Sequence, residues 1–218
     1  QTDASAQQTF LQSLGVVREA GARLISLFAY ENAGLPGWLD VLAASSQPTQ
    51  LLVPQGKILA ELQVWLGDAQ LVPGDQRRRG NLQIHVLPFL AQDDYDRLLW
   101  CCDLNAVRGE DSFIRAQWAG RPLLWHIYPQ EEGAHWDKLD AFLALYGAEL
   151  PSDVAAAHAQ WWRAWNAGEG MEQAWPALLH AWPMLQQHAE RWCDSQAARP
   201  DLATALEQFY LNWLSYAA

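Results

Sequence analysis

Along the first 150 residues, short apolar runs alternate with stretches in which apolar positions recur every three or four residues. A run over 24–30, rich in strand formers, is followed by a Gly/Pro-marked turn and a helical stretch over 38–44. The run 50–53 ends at Pro54 and Gly56 and leads into a helix over 57–66, and the run 82–87 ends at Pro88 before a helix over 93–100. The run 104–107 ends at Arg108 and Gly109 before a helix over 111–119, and the run 122–127 ends at Tyr128 and Pro129 before a helix over 134–146. Five strands, each followed by a helix, predict βαβ units and a mostly parallel, Rossmann-like α/β sheet. From Pro151 the strand signals stop. Residues 152–165, 171–192 and 202–215 read as helices, the middle one interrupted by Pro176 and Pro183. The Gln-, Ala- and Ser-rich residues 1–22 read as a linker or tail with a short helix around 9–14. The expected organisation is therefore a tail over 1–22, a Rossmann-like domain over 23–150 and a C-terminal helical appendix over 151–218. The run Arg77-Arg78-Arg79, between Gly74 and Gly80, reads as a solvated loop.

Composition narrows the possible functions. The chain has 218 residues, enough for one large domain or two small ones. Its 25 acidic residues against 14 Lys and Arg give a net charge of −11. Neither a nucleic-acid backbone nor an anionic membrane surface is attracted to such a molecule. Charged residues interrupt every apolar stretch well before the 18 or so residues of a spanning helix, so a soluble protein is expected. The start, Gln1-Thr2-Asp3-Ala4, has no signal-peptide pattern and reads as a cut point with further sequence upstream. Cys101, Cys102 and Cys193 are odd in number and lack C-x-x-C spacing, which favours a reducing cytoplasm. The 13 tryptophans, eight of them from Trp136 onward, read mainly as core packing. Some of the late ones are candidates for a seam with another domain.

In an open α/β sheet, ligands sit beyond the carboxyl ends of the strands. That rule selects the loops 28–32, 54–56, 88–93, 108–112 and 128–131, which together hold aromatic, amide, acidic and guanidinium groups. Flat rings stack a base, amides read its edge, carboxylates hold sugar hydroxyls and arginine neutralises phosphate. Residues 108–117 are the most informative segment. Gly109 permits a sharp turn, the following helix start offers free N–H groups to an anion, and Arg108 supplies positive charge. A purely structural reading stands equally: Asp111 as N-cap, Glu110 favouring the helix dipole and Arg115 pairing with Asp111. The chain has no G-x-G-x-x-G after a strand, no Walker loop and no G-x-S-x-G elbow, which counts against NAD enzymes, kinases and serine hydrolases. The six histidines form no zinc pattern, so no metal site is expected. The carboxylates of Gln92-Asp93-Asp94-Tyr95-Asp96 read as a charged first helical turn.

Several strings carry a family resemblance. They are Leu87-Pro88-Phe89-Leu90-Ala91-Gln92-Asp93-Asp94-Tyr95-Asp96, then Val107-Arg108-Gly109-Glu110-Asp111-Ser112-Phe113, then Arg115-Ala116-Gln117-Trp118-Ala119-Gly120, and Trp125-His126-Ile127-Tyr128-Pro129-Gln130. Together they closely resemble the protein-arginine rhamnosyltransferases that modify bacterial translation elongation factor P. Looser similarity continues through Ser26-Leu27-Phe28-Ala29-Tyr30-Glu31-Asn32 and Lys138-Leu139-Asp140-Ala141-Phe142-Leu143. The resemblance implies an inverting, metal-independent glycosyltransferase of the two-Rossmann B type. Such an enzyme moves L-rhamnose from dTDP-β-L-rhamnose to one arginine of elongation factor P, in the cytoplasm and without a cofactor. It implies that residues 23–150 and the helical tail are the C-terminal, nucleotide-sugar-binding half. Phe28, Tyr30, Phe89 and Gln92 are expected around thymine and deoxyribose, with Arg108, Glu110, Asp111, Ser112 and Tyr128 around the diphosphate and sugar. Glu110 and Asp111 are expected in supporting catalytic roles. The family's N-terminal domain, with the aspartate that acts on the acceptor arginine, has no counterpart in these residues, so the chain alone is expected to bind donor but barely transfer. The alternatives are a nucleotide-sugar epimerase of the same architecture and a non-catalytic nucleotide-sugar-binding module.

Overall fold

The computed structural model describes residues 3–67 and 70–216. The chain runs α1 (Ala4–Ser13), β1 (Arg23–Leu27), α2 (Leu35–Ala44), β2 (Thr49–Pro54), α3 (Leu59–Leu66), β3 (Gln76–Arg79), β4 (Leu82–Leu87), α4 (Gln92–Cys101), β5 (Leu104–Arg108), α5 (Asp111–Trp118), β6 (Leu123–His126), α6 (Ala134–Gly147), α7 (Ser152–Ala167), α8 (Met171–Ala197) and α9 (Leu202–Tyr216). The strands form one sheet in the order β3-β4-β2-β1-β5-β6, parallel except for the β3–β4 pair. Both β1 and β2 are buried along their whole length, as parallel strands covered by helices on both faces must be. This is why they read as mainly apolar runs, with Ser26, Thr49 and Gln50 among the buried polar exceptions. Loss of the backbone N–H at Pro88 follows the last pairing of β4. The chain is thus an α/β, Rossmann-like fold with the expected five parallel strands.

A sixth strand was not expected. Arg77, Arg78 and Arg79 lie in β3, not in a loop. The strand is largely exposed at the sheet edge, so it needs no apolar alternation, and its arginines blunt that edge. Arg78 pairs with Glu19, and the Arg79 guanidinium lies 4.4 Å over the Trp65 ring. Gly80 turns the hairpin at φ +57°, and a Cβ there would come within 2.3 Å of the Ala43 carbonyl oxygen, so only glycine fits.

Within the segment 1–22, α1 is capped by Asp3, whose carboxylate accepts from Ser5 N at 3.0 Å, and it packs on α4 with Leu11 buried. Gln1 and Thr2 lie outside the described residues. Pro176 and Pro183 do not interrupt the second-last helix: α8 runs continuously through both. The hydrogen bonds lost at each proline are offset by a buried stripe that includes Trp175, Leu178, Trp182 and Leu185.

The late tryptophans are mostly core. Trp161, Trp162, Trp165 and Trp175 are at most 1% exposed. Trp38 of α2 meets three of them edge-on, at 6.4 Å to Trp161, 5.4 Å to Trp165 and 5.5 Å to Trp175. Trp162 Nε1 donates to the Leu123 carbonyl at 2.9 Å, fastening α7 to β6. In this helical layer His158 is buried between Tyr146 and Trp162, and burial, with nearby His188, pushes its pKa down to about 3. His158 therefore stays neutral in the folded protein while the unfolded chain takes up a proton near pH 6.5. Stability from this residue is fully present above that pH and falls as the pH drops through it. Urea midpoints measured from about pH 7.5 down to about pH 5 are expected to decline, with a shallower decline in His158→Phe; a variant profile as steep as the parent's would show that another group is responsible.

Candidate functional site

Starting from β1, the sheet grows one way through β2 and β4 and the other way through β5 and β6, so its order reverses between β1 and β5. This switch point opens a crevice at the carboxyl ends of the two strands. Phe28 N donates to the Ala106 carbonyl at 2.9 Å, which prolongs the pairing and delivers Phe28 and Tyr30 beside Arg108, the last residue of β5. The Arg108 guanidinium lies 4.4 Å from the Phe28 ring centroid and 4.9 Å from that of Tyr30. Among the described residues, no carboxylate comes within ion-pair distance of it. Tyr128, beyond β6, meets Tyr30 edge-on at 5.6 Å and is 64% exposed.

Gly109 turns at φ +62°, and its carbonyl accepts from Trp125 Nε1 at 2.7 Å. A Cβ on it would stand 3.4 Å from the Tyr30 hydroxyl. The turn leads straight into α5, whose N-terminus has no side-chain cap. Asp111 is not the N-cap: it occupies the first helical position and accepts from Arg115 Nε at 2.8 Å, while Arg115 Nη1 donates to Asp96 at 2.8 Å. Glu110 holds the cap position in helical conformation with its side chain exposed, and Ser112 follows half-buried. The first N–H groups of α5 consequently remain available to an anion.

The residues singled out in the sequence divide in two. Phe28, Tyr30, Arg108 and Tyr128 touch one another, and Glu110, Asp111 and Ser112 stand at the adjoining helix start. Phe89 follows β4 and Gln92 opens α4. Tyr95 of α4 meets Phe28 edge-on at 5.7 Å and Asp96 accepts from Arg115 at 2.8 Å, so this second pair stands on the neighbouring loop. Phe89 is 75% exposed, which leaves its ring face open.

Sequence reasoning missed the residues that hold this wall in shape. Asn32 N donates to Glu61 at 2.5 Å, its Nδ2 donates to the Trp165 carbonyl at 2.7 Å, and its Oδ1 accepts from Gly34 N at 2.8 Å. Burial raises the pKa of Glu61. Asn166 acts on the other side: its Oδ1 accepts from Ile127 N at 3.0 Å and its Nδ2 donates to the carbonyls of Trp125 and Trp162, both at 2.9 Å. An amide from α7 thus takes the place of a further strand along the edge of β6. His126, buried against Tyr30 at 5.3 Å and Trp165 at 5.6 Å, was also missed; burial and the Arg108 charge lower its pKa to about 4. Among the described residues no three His, Cys, Asp or Glu side chains gather as a metal site, and no helix is long and apolar enough to cross a membrane.

A largely parallel sheet in this order, covered by helices, is a Rossmann-like fold of the kind found in B-type glycosyltransferases. The crystal structure of Acinetobacter baumannii MurG shares that fold, with a TM-score of 0.51 over 92% of this chain and 52% of the MurG chain at 17% identity. Within that class the chain belongs to a particular family: the model described as Elongation-Factor P (EF-P) rhamnosyltransferase EarP matches residues 1–211. A protein-arginine rhamnosyltransferase of Pseudomonas aeruginosa is 60% identical over 98% of this chain, and one of Shewanella oneidensis is 39% identical over 96%. The chain spans 57% and 55% of the length of these two relatives. A solved structure described as the structural basis for EarP-mediated arginine glycosylation of translation elongation factor EF-P superposes with a TM-score of 0.89 at 58% identity, covering 97% of this chain and 67% of that one.

Asn166→Ala removes two hydrogen bonds at the β6 edge and a third within α7, and is expected to destabilise the fold by about 1–3 kcal/mol, read from the urea unfolding midpoint; an unchanged midpoint would show that the edge does not rely on the amide.

Proposed function

We propose that this chain is the donor-binding part of an inverting glycosyltransferase that moves L-rhamnose from dTDP-β-L-rhamnose to an arginine of elongation factor P. The observation that carries this reading is the unpaired Arg108 guanidinium, held by Phe28 and Tyr30 beside the uncapped start of α5. A nucleotide diphosphate brings negative charge into a chain of net charge −11, so it requires a local concentration of positive potential. Arg108 and the α5 N–H groups supply one at a single point. Phe89 offers an open ring to the thymine, and the Gln92 amide is near enough in sequence to read the base edge. Tyr128 and Glu110 flank the sugar side; Asp111 is already bound to Arg115, so its part is to keep that cation beside the site. Residues 23–150 form the nucleotide-sugar-binding unit in this reading, and family membership supports both the donor and the acceptor.

In an inverting displacement the acceptor nitrogen attacks the anomeric carbon as the diphosphate departs from the opposite face. The nitrogen sheds its proton to a carboxylate on the acceptor side. A guanidinium is a poor nucleophile because its charge is delocalised and its pKa is high, so that carboxylate is indispensable. We assign it to the family's other domain, and neither a metal nor a cofactor has a step in this scheme. The free thiols of Cys101, Cys102 and Cys193 fit a reducing cytoplasm.

Calorimetric titration of this chain with dTDP and with UDP tests the donor site. Tighter binding of dTDP is expected, roughly tenfold or more weakened by Arg108→Ala, the scale of one charge-assisted contact, and reduced by Phe89→Ala. Unchanged dTDP affinity in Arg108→Ala overturns the assignment. In a second assay the chain, given dTDP-β-L-rhamnose and elongation factor P, is expected to leave the acceptor unmodified by mass spectrometry. Robust rhamnosylation by this chain would place the base within it.

A further inference from the structure

The amino ends of the strands, opposite the donor crevice, hold a second unpaired guanidinium. Arg23 opens β1 and is 8% exposed; its backbone N–H donates to the Pro48 carbonyl at 2.9 Å, yet among the described residues no oxygen accepts a hydrogen bond from its side chain. Its guanidinium carbon sits 4.5 Å over the Trp182 ring and 5.5 Å from that of Trp175. Asp103 is the acid that acts on it, but one oxygen of Asp103 already accepts from Arg18 Nη2 at 2.7 Å and from Leu24 N at 2.8 Å. Stacking on indoles compensates the charge only in part and leaves the N–H donors unused. Arginine does not escape by losing its proton, and the Arg23 nitrogens are not sealed from solvent, so a largely buried guanidinium turns its unpartnered N–H groups toward the cavity it lines.

Arg23 lines a cavity of about 410 Å³ together with Arg18, Gln47, Asp103, Trp182 and Gln186. Two guanidinium groups against one carboxylate leave its wall with a net positive charge. The planar fork of Arg23, whose carbon lies over the Trp182 ring, carries paired donors of the spacing that an oxyanion accepts. We propose that this cavity is an anion site, separate from the donor crevice, that takes a small carboxylate or phosphate on Arg23. The volume lies within the range of small-molecule pockets, so the oxyanion can be one group of a larger metabolite.

The test is the thermal unfolding midpoint of the chain in sodium phosphate and in sodium succinate, each against sodium chloride at matched ionic strength to remove general screening. One of the two anions is expected to raise the midpoint above that in chloride by about 2–4 °C near saturation, and the anion that does so identifies the source as phosphate or carboxylate. Arg23→Met abolishes the rise, whereas Arg108→Ala, which disables the donor crevice, retains it. Arg23→Met is also expected to be at least as stable as the parent in chloride, because it removes a buried unpaired charge. A rise that survives Arg23→Met, or neither anion exceeding chloride, overturns the proposal. Independently of any variant, the Arg23 Nε–H resonance of arginine-labelled protein shifts on addition of the effective anion; a resonance that stays in place overturns it equally.

Discussion

The wall of the crevice takes its shape from the last turn of α7. The Trp165 carbonyl receives Asn32, and Asn166 grips the backbone at both Trp125 and Ile127, so one helical turn ties together the loops that follow β1 and β6. Tyr30 lies two residues before the first tie and Tyr128 one residue after the second, and their edge-on contact is the visible result. The turn is itself immobilised from behind by the packing of Trp161, Trp162 and Trp165 around Trp38 and β6. At the same junction a Cβ on Gly34 would come within 2.9 Å of the Gly168 backbone, so the two loops meet main chain to main chain. The helices beyond residue 151 are therefore part of the site's foundation, and the tryptophan content is explained by that load.

Charge is arranged on the same economical plan. A chain of net charge −11 has few places where an anion is welcome, and the sheet creates one at its carboxyl end from Arg108 and the start of α5. Most other arginines are spoken for: Arg18 by Asp103, Arg78 by Glu19, Arg115 by Asp96 and Asp111, Arg163 by Asp140. Arg108 and Arg23 face aromatic rings with no carboxylate in ion-pair distance among the described residues, whereas Arg79, which also lies over a ring, has Asp40 at 3.9 Å. An aromatic face holds a guanidinium in place without neutralising it, which leaves the charge available to a ligand.

The parallel strands were legible because each is a short apolar run ended by Pro or Gly, and strands buried on both faces carry no competing polar alternation. β3 was not, since an exposed edge strand of three arginines has the composition of a loop and is defined only by its pairing with β4. The continuity of α8 was hidden as well: proline is a local signal, and what overrides it is packing against elements far away in sequence. At the site, Phe28, Tyr30, Arg108 and Tyr128 could be named because strand ends are predictable from the strands themselves. The expected Arg115–Asp111 pair forms, but Asp111 is not the cap because the helix already begins with it and Glu110 takes the cap position, a one-residue boundary that the local sequence does not fix. Asn32 and Asn166 were invisible because their partners lie 133 and 39 residues away, and nothing in the local chain marks an asparagine as a brace.

The neutral imidazole of His126 gives the crevice a further property. The charge of Arg108 helps to keep a proton off this ring. An anion that pairs with Arg108 offsets that repulsion, so it makes protonation of His126 easier, and by reciprocity a protonated ring favours the anion to the same degree. Burial is the larger cause of the lowered pKa, however, so the imidazole behind Tyr30 stays an uncharged wall and sets no second cation against Arg108.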